Sequence, residues 1–93
     1  MIVLVGEVQL YLPESRSLKD KRQVLKSLKD RLHNRFNLSV AEVDFSELWQ
    51  RSTVAFAVVS NGVDHAEEVI SKAIRYIEDE ARVQVLDASV EER

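Results

Sequence analysis

The chain has 93 residues, of which 45% are hydrophobic and 31% charged, with a formal net charge of −3 and no cysteine. This composition predicts one small globular domain, residues 1–93, and excludes disulfides and thiol chemistry. No apolar run reaches the roughly 18–20 residues of a membrane span, and the N-terminus lacks the basic region and cleavage site of a signal peptide. We therefore expect a cytoplasmic protein that has no membrane partner.

The first segment, residues 2–12, alternates with a period of two and predicts a strand with one fully apolar face. Pro13 ends this strand because it has no N–H for the sheet ladder. Ser17 then predicts a helix N-cap, with Asp20 three residues later as an imperfect capping box. The helix begins at Leu18, and its core stripe follows the 3.6-residue period. The stripe consists of Val24, Leu25, Leu28, Leu32 and Phe36.

The second part of the chain repeats the strand–helix–strand rhythm. Asp64 predicts the N-cap of the second helix, with Glu67 three residues later. In order, the segments are a strand at Leu38–Asp44, a polar connector at Phe45–Gln50, a strand at Arg51–Ser60, a helix starting after Asp64 and a strand at Val83–Val90.

This order, β-α-β-β-α-β, predicts an α+β fold of the ferredoxin-like, split βαβ type. Two helices would cover one face of a four-stranded antiparallel sheet. The other face would expose an apolar patch, and large patches usually mark a partner. We predict a homodimer through this face; the alternative is that the C-terminal tail or the connector folds over it. The expected interface residues are Val3, Val5, Tyr11, Trp49, Arg51, Ala55 and Ala57, with Val59 on the same face.

Four short blocks carry a resemblance that covers essentially the whole chain. They are SLKDKR (17–22), RFNLSVAEVD (35–44), LWQR (48–51) and VVSN (58–61). With these blocks in this order, the chain resembles the YlxP-like family, a small bacterial domain of unknown function. The resemblance implies a ferredoxin-like fold and a bacterial cytoplasmic protein. Genes of that family often lie near translation and ribosome-maturation genes, and the family has no established catalytic residues to carry over.

The first helix concentrates the positive charge of the chain. Residues 16–35 hold 8 basic and 2 acidic residues, whereas the remainder holds 5 basic and 14 acidic residues. Arg22, Lys26, Lys29 and His33 recur at i, i+4, i+7 and i+11 and so align on one flank, with Lys19 leaning to the same side. Arg16 precedes the helix, whose free N–H groups favour an anion. This row predicts a contact with a phosphate backbone; the alternative is an ordinary solvated helix face.

Two residues have competing interpretations. Lys21 falls among the core leucines, and we expect its stem to cover apolar surface while the ammonium reaches water; the alternative is an ion pair or an anion site. Trp49, beside Arg51, could stack on a base, but we favour an interface role because Trp and Arg are frequent interface anchors.

Catalytic and metal chemistry find little support in the sequence. The loop LPESRS contains Arg16 but lacks the glycine that an acylphosphatase-like phosphate loop needs, and no nucleophile–base pair is visible. His33 and His65 lack paired ligands, so we expect no metal and no cofactor. The leading hypothesis is a non-enzymatic protein that binds rRNA or a ribosomal subunit. The alternative is a dimeric small-molecule-binding or protein-interaction module with no nucleic-acid role.

Overall fold

The computed structural model describes residues 1–93. It has six elements in two layers, a pair of helices packed on a four-stranded sheet. They are β1 (Ile2–Tyr11), α1 (Leu18–Phe36), β2 (Ser39–Asp44), β3 (Arg51–Ser60), α2 (Val63–Glu78) and β4 (Gln84–Glu92). The strands form one antiparallel sheet in the order β2-β3-β1-β4. This is the predicted ferredoxin-like arrangement, which is confirmed. Neither helix has the combination of length and apolarity that a membrane-spanning helix requires.

The core lies between the helices and the face of the sheet that carries the even-numbered residues of β1 and β3. Val54, Phe56 and Val58 are buried there, as the alternation of β3 predicts. Gly6 pairs with Phe56 across the sheet, and a Cβ built on Gly6 would lie 2.4 Å from Cε2 of Phe56. The glycine therefore makes room for Phe56, the one aromatic side chain that is fully buried in the core.

The start of α1 is the predicted one. The Oγ of Ser17 accepts a hydrogen bond from the N–H of Asp20 at 3.0 Å, and the Asp20 carboxylate accepts one from the N–H of Arg16 at 3.0 Å. The Asp20 carboxylate thus reaches back to the residue before the cap, a variant of the capping box, in which it would accept from the N–H of Ser17 itself. The helix ends at Asn37, which adopts the left-handed conformation (φ 54°) and donates its N–H to the carbonyl of His33.

The start of α2 differs from the prediction. Gly62, not Asp64, is the N-cap: its backbone is extended and its carbonyl accepts the N–H of Ala66 at 3.2 Å. Asp64 lies inside the first turn, where its carboxylate still faces the positive end of the helix dipole. The prediction was wrong because glycine caps a helix through its backbone and shows no side-chain signal.

The C-terminal residues belong to the sheet. Strand β4 runs from Gln84 to Glu92, slightly beyond the predicted strand, and pairs with β1 through a bulge between Gln9 and Leu10. The tail is an edge strand. The C-terminal tail therefore does not cover the open face of the sheet.

Candidate nucleic-acid interface

The basic row, defined as Arg22, Lys26, Lys29 and His33, lies on the flank of α1 that faces away from α2. The opposite flank carries Arg31, whose guanidinium bonds to Tyr76 of α2. On the row's own flank, Nδ1 of His33 lies 2.9 Å from the carbonyl oxygen of Leu38, just before β2. Three members of the row are exposed and Lys29 is half-buried. The four side chains therefore run along one accessible edge of the helix layer, beside the edge strand β2.

The cations of the row have few partners within the chain. Nζ of Lys26 lies 2.9 Å from Oδ2 of Asp30, and this bond holds the pKa of Asp30 below its usual value. Both side chains are well exposed, and solvent screening makes such surface i,i+4 pairs weak. Arg22 and Lys29 form no ion pair. An incoming phosphate would displace one weak bond at most.

The N-terminal end of the helix is a poorer anion site than the sequence predicts. Arg16 and Lys19 are exposed, as expected. However, the Asp20 carboxylate closes over the first turn through the N–H of Arg16, and Ser17 takes the N–H of Asp20. A negative charge thus already lies where an anion would bind. The cations at this end extend the row, but the helix terminus adds nothing to it.

Lys21 is buried, so the expectation that its ammonium reaches water is wrong. Its side chain is 1% exposed, and Nζ lies 2.8 Å from Oε2 of Glu42. It also donates to the carbonyls of Phe45 and Leu48 at 2.6 and 2.7 Å. Three acceptors satisfy the three N–H bonds of the ammonium, which is the condition for burying it. Oε2 of Glu42 accepts a further bond, at 2.6 Å, from Oγ of Ser52.

Lys21 thereby ties α1 to the connector between β2 and β3. The connector is held at its other end by Gln50, whose Nε2 donates to the carbonyls of Pro13 and Ser15 at 3.1 and 3.2 Å. Phe45 is in the left-handed region at φ 61°, a conformation that a bulky residue holds only when its surroundings enforce it. The connector is therefore a fixed structure.

Trp49 and Arg51 do not form the free stacking pair considered from the sequence. The guanidinium of Arg51 lies 5.0 Å from the centre of the Phe45 ring and donates to Oε1 of Gln9 at 3.2 Å. Its Nε is buried without a partner. Trp49 is 54% exposed and lines, together with Arg51, a depression of about 390 Å³ at the end of the sheet. Arg51 is thus engaged within the fold, and Trp49 is accessible.

The remaining predicted interface residues lie on the open sheet face. Val5, Ala55 and Ala57 line a shallow groove of about 240 Å³. Val3 is half-buried two residues from Val5, and Tyr11 is half-buried at the far end of β1, opposite Arg51. Val59, on the same face, is 65% exposed. The structure therefore brings these positions onto one surface, separate from the basic row.

Sequence reasoning missed one ion network between the helices and the chain that follows α2. Glu80 bonds to Arg31 of α1 and to Arg82. The hydrogen bond from Arg82, with that from Arg31, lowers the pKa of Glu80 to about 2. Residues 31 and 80 are far apart in sequence, and no local spacing rule connects them. One feature of the sequence pointed to the Lys21–Glu42 ion pair, namely a lysine within the apolar stripe of α1.

Known proteins resemble this chain in both sequence and fold. "Uncharacterized protein YlxP" of Bacillus subtilis (strain 168) is 32% identical over 73 residues, which are 78% of this chain and 79% of that protein. A de novo designed protein, LFR1 1 with ferredoxin fold, solved by solution NMR, matches 100% of this chain and 84% of its own with a TM-score of 0.58. At 14% identity that likeness concerns the fold alone. The model of the family described as "Protein of unknown function (DUF503)" matches residues 3–90. The chain therefore belongs to the DUF503, YlxP-like family.

Proposed function

We propose that the chain is a non-catalytic, cytoplasmic accessory protein that binds ribosomal RNA, alone or in a ribosomal subunit, through the basic row of α1. The observation that carries the proposal is the alignment of three cations and a histidine on one accessible flank with a single weak internal ion pair. At about 1.5 Å per residue the row extends over roughly 16 Å. That length spans several phosphates of one strand, and neutralising them releases counterions.

The proposed contact depends on the shape and charge of the RNA and not on its base sequence. RNA-binding proteins of the same topology stack bases on aromatic side chains of their central strands. Here the corresponding face of β3 carries Ala55 and Ala57, which offer no ring to a base, and Thr53, which is buried. The row itself carries a single ring, the imidazole of His33, whose Nδ1 is engaged with the carbonyl oxygen of Leu38. These features support binding to the backbone of folded or double-stranded RNA.

Sedimentation with ribosomal particles tests the proposal. The variant Lys26→Glu/Lys29→Glu reverses two adjacent members of the row. We expect it to lose most of the co-sedimentation that the wild type shows at low salt, because the reversed charges repel phosphate. For the wild type, raising the salt concentration should release the protein steeply.

A second pair of cations provides a matched control. Lys72 and Arg75 of α2 are exposed and lie three positions apart, as Lys26 and Lys29 do. Lys72 forms an ion pair with Glu68, four positions away, as Lys26 does with Asp30. Lys72→Glu/Arg75→Glu therefore changes the net charge equally and breaks one comparable ion pair. It should leave co-sedimentation intact. Equal losses for the two variants, or no loss for either, would contradict a role of the row.

A further inference from the structure

Strand β4 is an edge of the sheet whose backbone has no strand partner along its outer side. It has 9 residues, is exposed at every position except Val85, and pairs with β1 alone. Proteins usually protect such an edge with a lysine, a proline or a covering segment, because a free edge attracts another strand. Residues 84–92 hold neither lysine nor proline, and their charged side chains are all carboxylates. These charges repel a second acidic strand and attract a basic one.

The register shows which backbone groups of β4 are free. The N–H of Arg93 donates to the carbonyl of Val3 at 2.9 Å, so these two residues form a hydrogen-bonded pair. In an antiparallel ladder such pairs alternate with pairs that exchange no hydrogen bond. The pairs that Ala88, Val90 and Glu92 form with β1 are of the second kind, and their N–H and C=O groups point away from β1. The three residues therefore offer a regular row of donors and acceptors to a further strand.

The side chains at these free positions form an apolar shelf beside α2. Ala88 and Val90 lie opposite Val8 and Gly6, two buried positions on the core face of the sheet. Ala88 is nevertheless exposed and Val90 is 50% exposed, because the helix layer stops short of the edge. Leu86, the extra residue of the bulge, is also 50% exposed. Apolar side chains of an added strand would pack on this shelf.

The intervening positions of β4 are acidic and belong to the open face. Asp87 and Glu91 lie on either side of Ser89, which pairs with Glu7 of β1. All three carboxylates are exposed, and Asp87 and Glu7 form no ion pair. Glu91 has one partner, Arg93 at 3.3 Å, and both of these side chains are exposed. The open-face side of the edge is therefore negatively charged.

The helix side of the edge is also acidic. Tyr76 of α2 packs on Phe36 of α1 and so marks the flank of α2 that faces α1. With 3.6 residues per turn, Glu67 and Glu78 lie on the opposite flank, towards β4. Both are exposed and form no ion pair. Carboxylates thus line both sides of this edge, in contrast to the basic row beside the β2 edge.

We infer that β4 binds an extended, cationic segment of a partner protein as a fifth strand of the sheet. The backbone of the segment bonds to Ala88, Val90 and Glu92, and its apolar side chains pack on the shelf. Lysines or arginines at the alternate positions face Asp87 and Glu91. A period-two alternation of apolar and basic residues therefore fits both faces of the edge. A second copy of β4 fits poorly, because it would bring carboxylates against these carboxylates.

Fluorescence anisotropy with a labelled synthetic peptide of alternating lysine and valine tests the inference. The wild type should bind this peptide, and binding should weaken as salt screens the charges. A peptide with glutamate in place of lysine should not bind. A peptide with its lysines and valines in separate blocks should bind at least about tenfold more weakly, since it cannot match both faces at once. No binding of the alternating peptide, or equal binding of the alternating and block peptides, would overturn the inference.

Two variants of β4 locate the site. Ala88→Pro removes a free N–H and leaves the bonds to β1 in place, and Asp87→Lys/Glu91→Lys reverses the charge. Each should raise the dissociation constant of the alternating peptide at least about tenfold. Glu14→Lys/Glu47→Lys makes an equal change of charge at exposed loop positions and should bind like the wild type. Equal losses for the two lysine variants would overturn the site, and this comparison holds even if the proline variant does not fold.

Hydrogen exchange separates an added strand from a contact between charges alone. On binding of the alternating peptide, the N–H groups of Ala88, Val90 and Glu92 should exchange more slowly. Those of Ser89 and Glu91, which already face β1, should change little. Unchanged exchange at the three free positions would overturn the inference.

Two further measurements separate this inference from other interactions of the chain. A wild type that sedimentation equilibrium shows to be dimeric, and that Ala88→Pro makes monomeric, would assign the edge to a second copy and overturn the inference. Lys26→Glu/Lys29→Glu should bind the alternating peptide at least as well as the wild type, because the basic row lies at the other edge of the molecule. Failure of RNA binding therefore leaves this inference intact, and the reverse also holds.

Discussion

Lys21 is the residue whose charge the fold depends on most. Lys21→Met would leave Glu42 without its cation and two carbonyls of the connector without a donor. Breaking a buried pair from one side costs about 3–5 kcal/mol. We expect a loss of this size in the free energy of unfolding, measured by urea denaturation. Lys19→Met, at an exposed position in the same turn, should change it by less than about 0.5 kcal/mol.

The double variant Lys21→Met/Glu42→Met separates the lost charge pair from other effects of the substitution. It removes both partners and should recover part of the loss, because no uncompensated carboxylate remains. A Lys21→Met protein as stable as the Lys19→Met protein would contradict the account of the connector.

Glu80 should make the stability depend on pH in the acid range. Its folded pKa of about 2 lies below the ordinary 4.5, chiefly because Arg82 donates to it. A lowered pKa contributes stability that is complete above about pH 4.5 and is lost as the pH falls towards 2. Glu80→Gln should therefore cost on the order of 1–2 kcal/mol at pH 7, after allowance for the exposed arginines.

The difference between wild type and Glu80→Gln should shrink between about pH 4.5 and pH 2. Denaturation curves over this range measure it, with Glu78→Gln, an exposed position on α2, as the control. A difference that stays constant with pH would mean that Glu80 acts by packing, not by charge.

At the residue scale, the sequence predicts which side chains are buried better than it predicts their hydrogen-bond and ion-pair partners. The apolar stripe of α1 marks Lys21 as unusual, but its acceptors come from β2 and the connector, more than 20 residues away. Only the fold brings Glu42 and the carbonyl of Phe45 to it. The same holds for the ion pair between Arg31 and Glu80, whose two residues lie 49 positions apart.

At the scale of elements, the packing of β1 beside β3 depends on Gly6, which has no side chain and leaves space for the ring of Phe56. Gly6→Ala should destabilise the protein by about 1–3 kcal/mol, because the new Cβ would overlap the ring of Phe56. Phe56→Leu should relieve part of this cost, so the two substitutions should be non-additive in thermal or chemical denaturation. Gly62→Ala, with nothing within 4 Å of the added Cβ, should cost less. Strict additivity would contradict the steric explanation.

The bounds of the elements follow closely from the sequence, for reasons that differ between them. Period-two alternation and a capping box fix β1, β3 and α1, because each signal is local. The start of α2 was placed wrongly, since Asp64 and Gly62 both fit a cap and only the backbone decides between them. The bulge in the pairing of β1 with β4 has no local signal either.

At the scale of the whole molecule, charge and apolar surface are separated. The basic row lies on the helix layer beside β2, whereas the apolar groove lies on the opposite face of the sheet. The rest of the chain outside residues 16–35 is acidic. Under the proposed function, an RNA backbone would therefore be attracted chiefly to the side of the molecule that carries the basic row.

The measurement that tests the central claim most directly is the salt dependence of binding to a double-stranded RNA, followed by fluorescence anisotropy. For the wild type, the logarithm of the binding constant should fall linearly with the logarithm of the salt concentration, with a slope that reports about two to four neutralised phosphates. Lys26→Glu/Lys29→Glu should weaken binding at least about tenfold and reduce the magnitude of the slope by about two. A wild type that does not bind at low salt, or a variant with the same affinity and slope, would contradict the proposal that the basic row of α1 binds RNA.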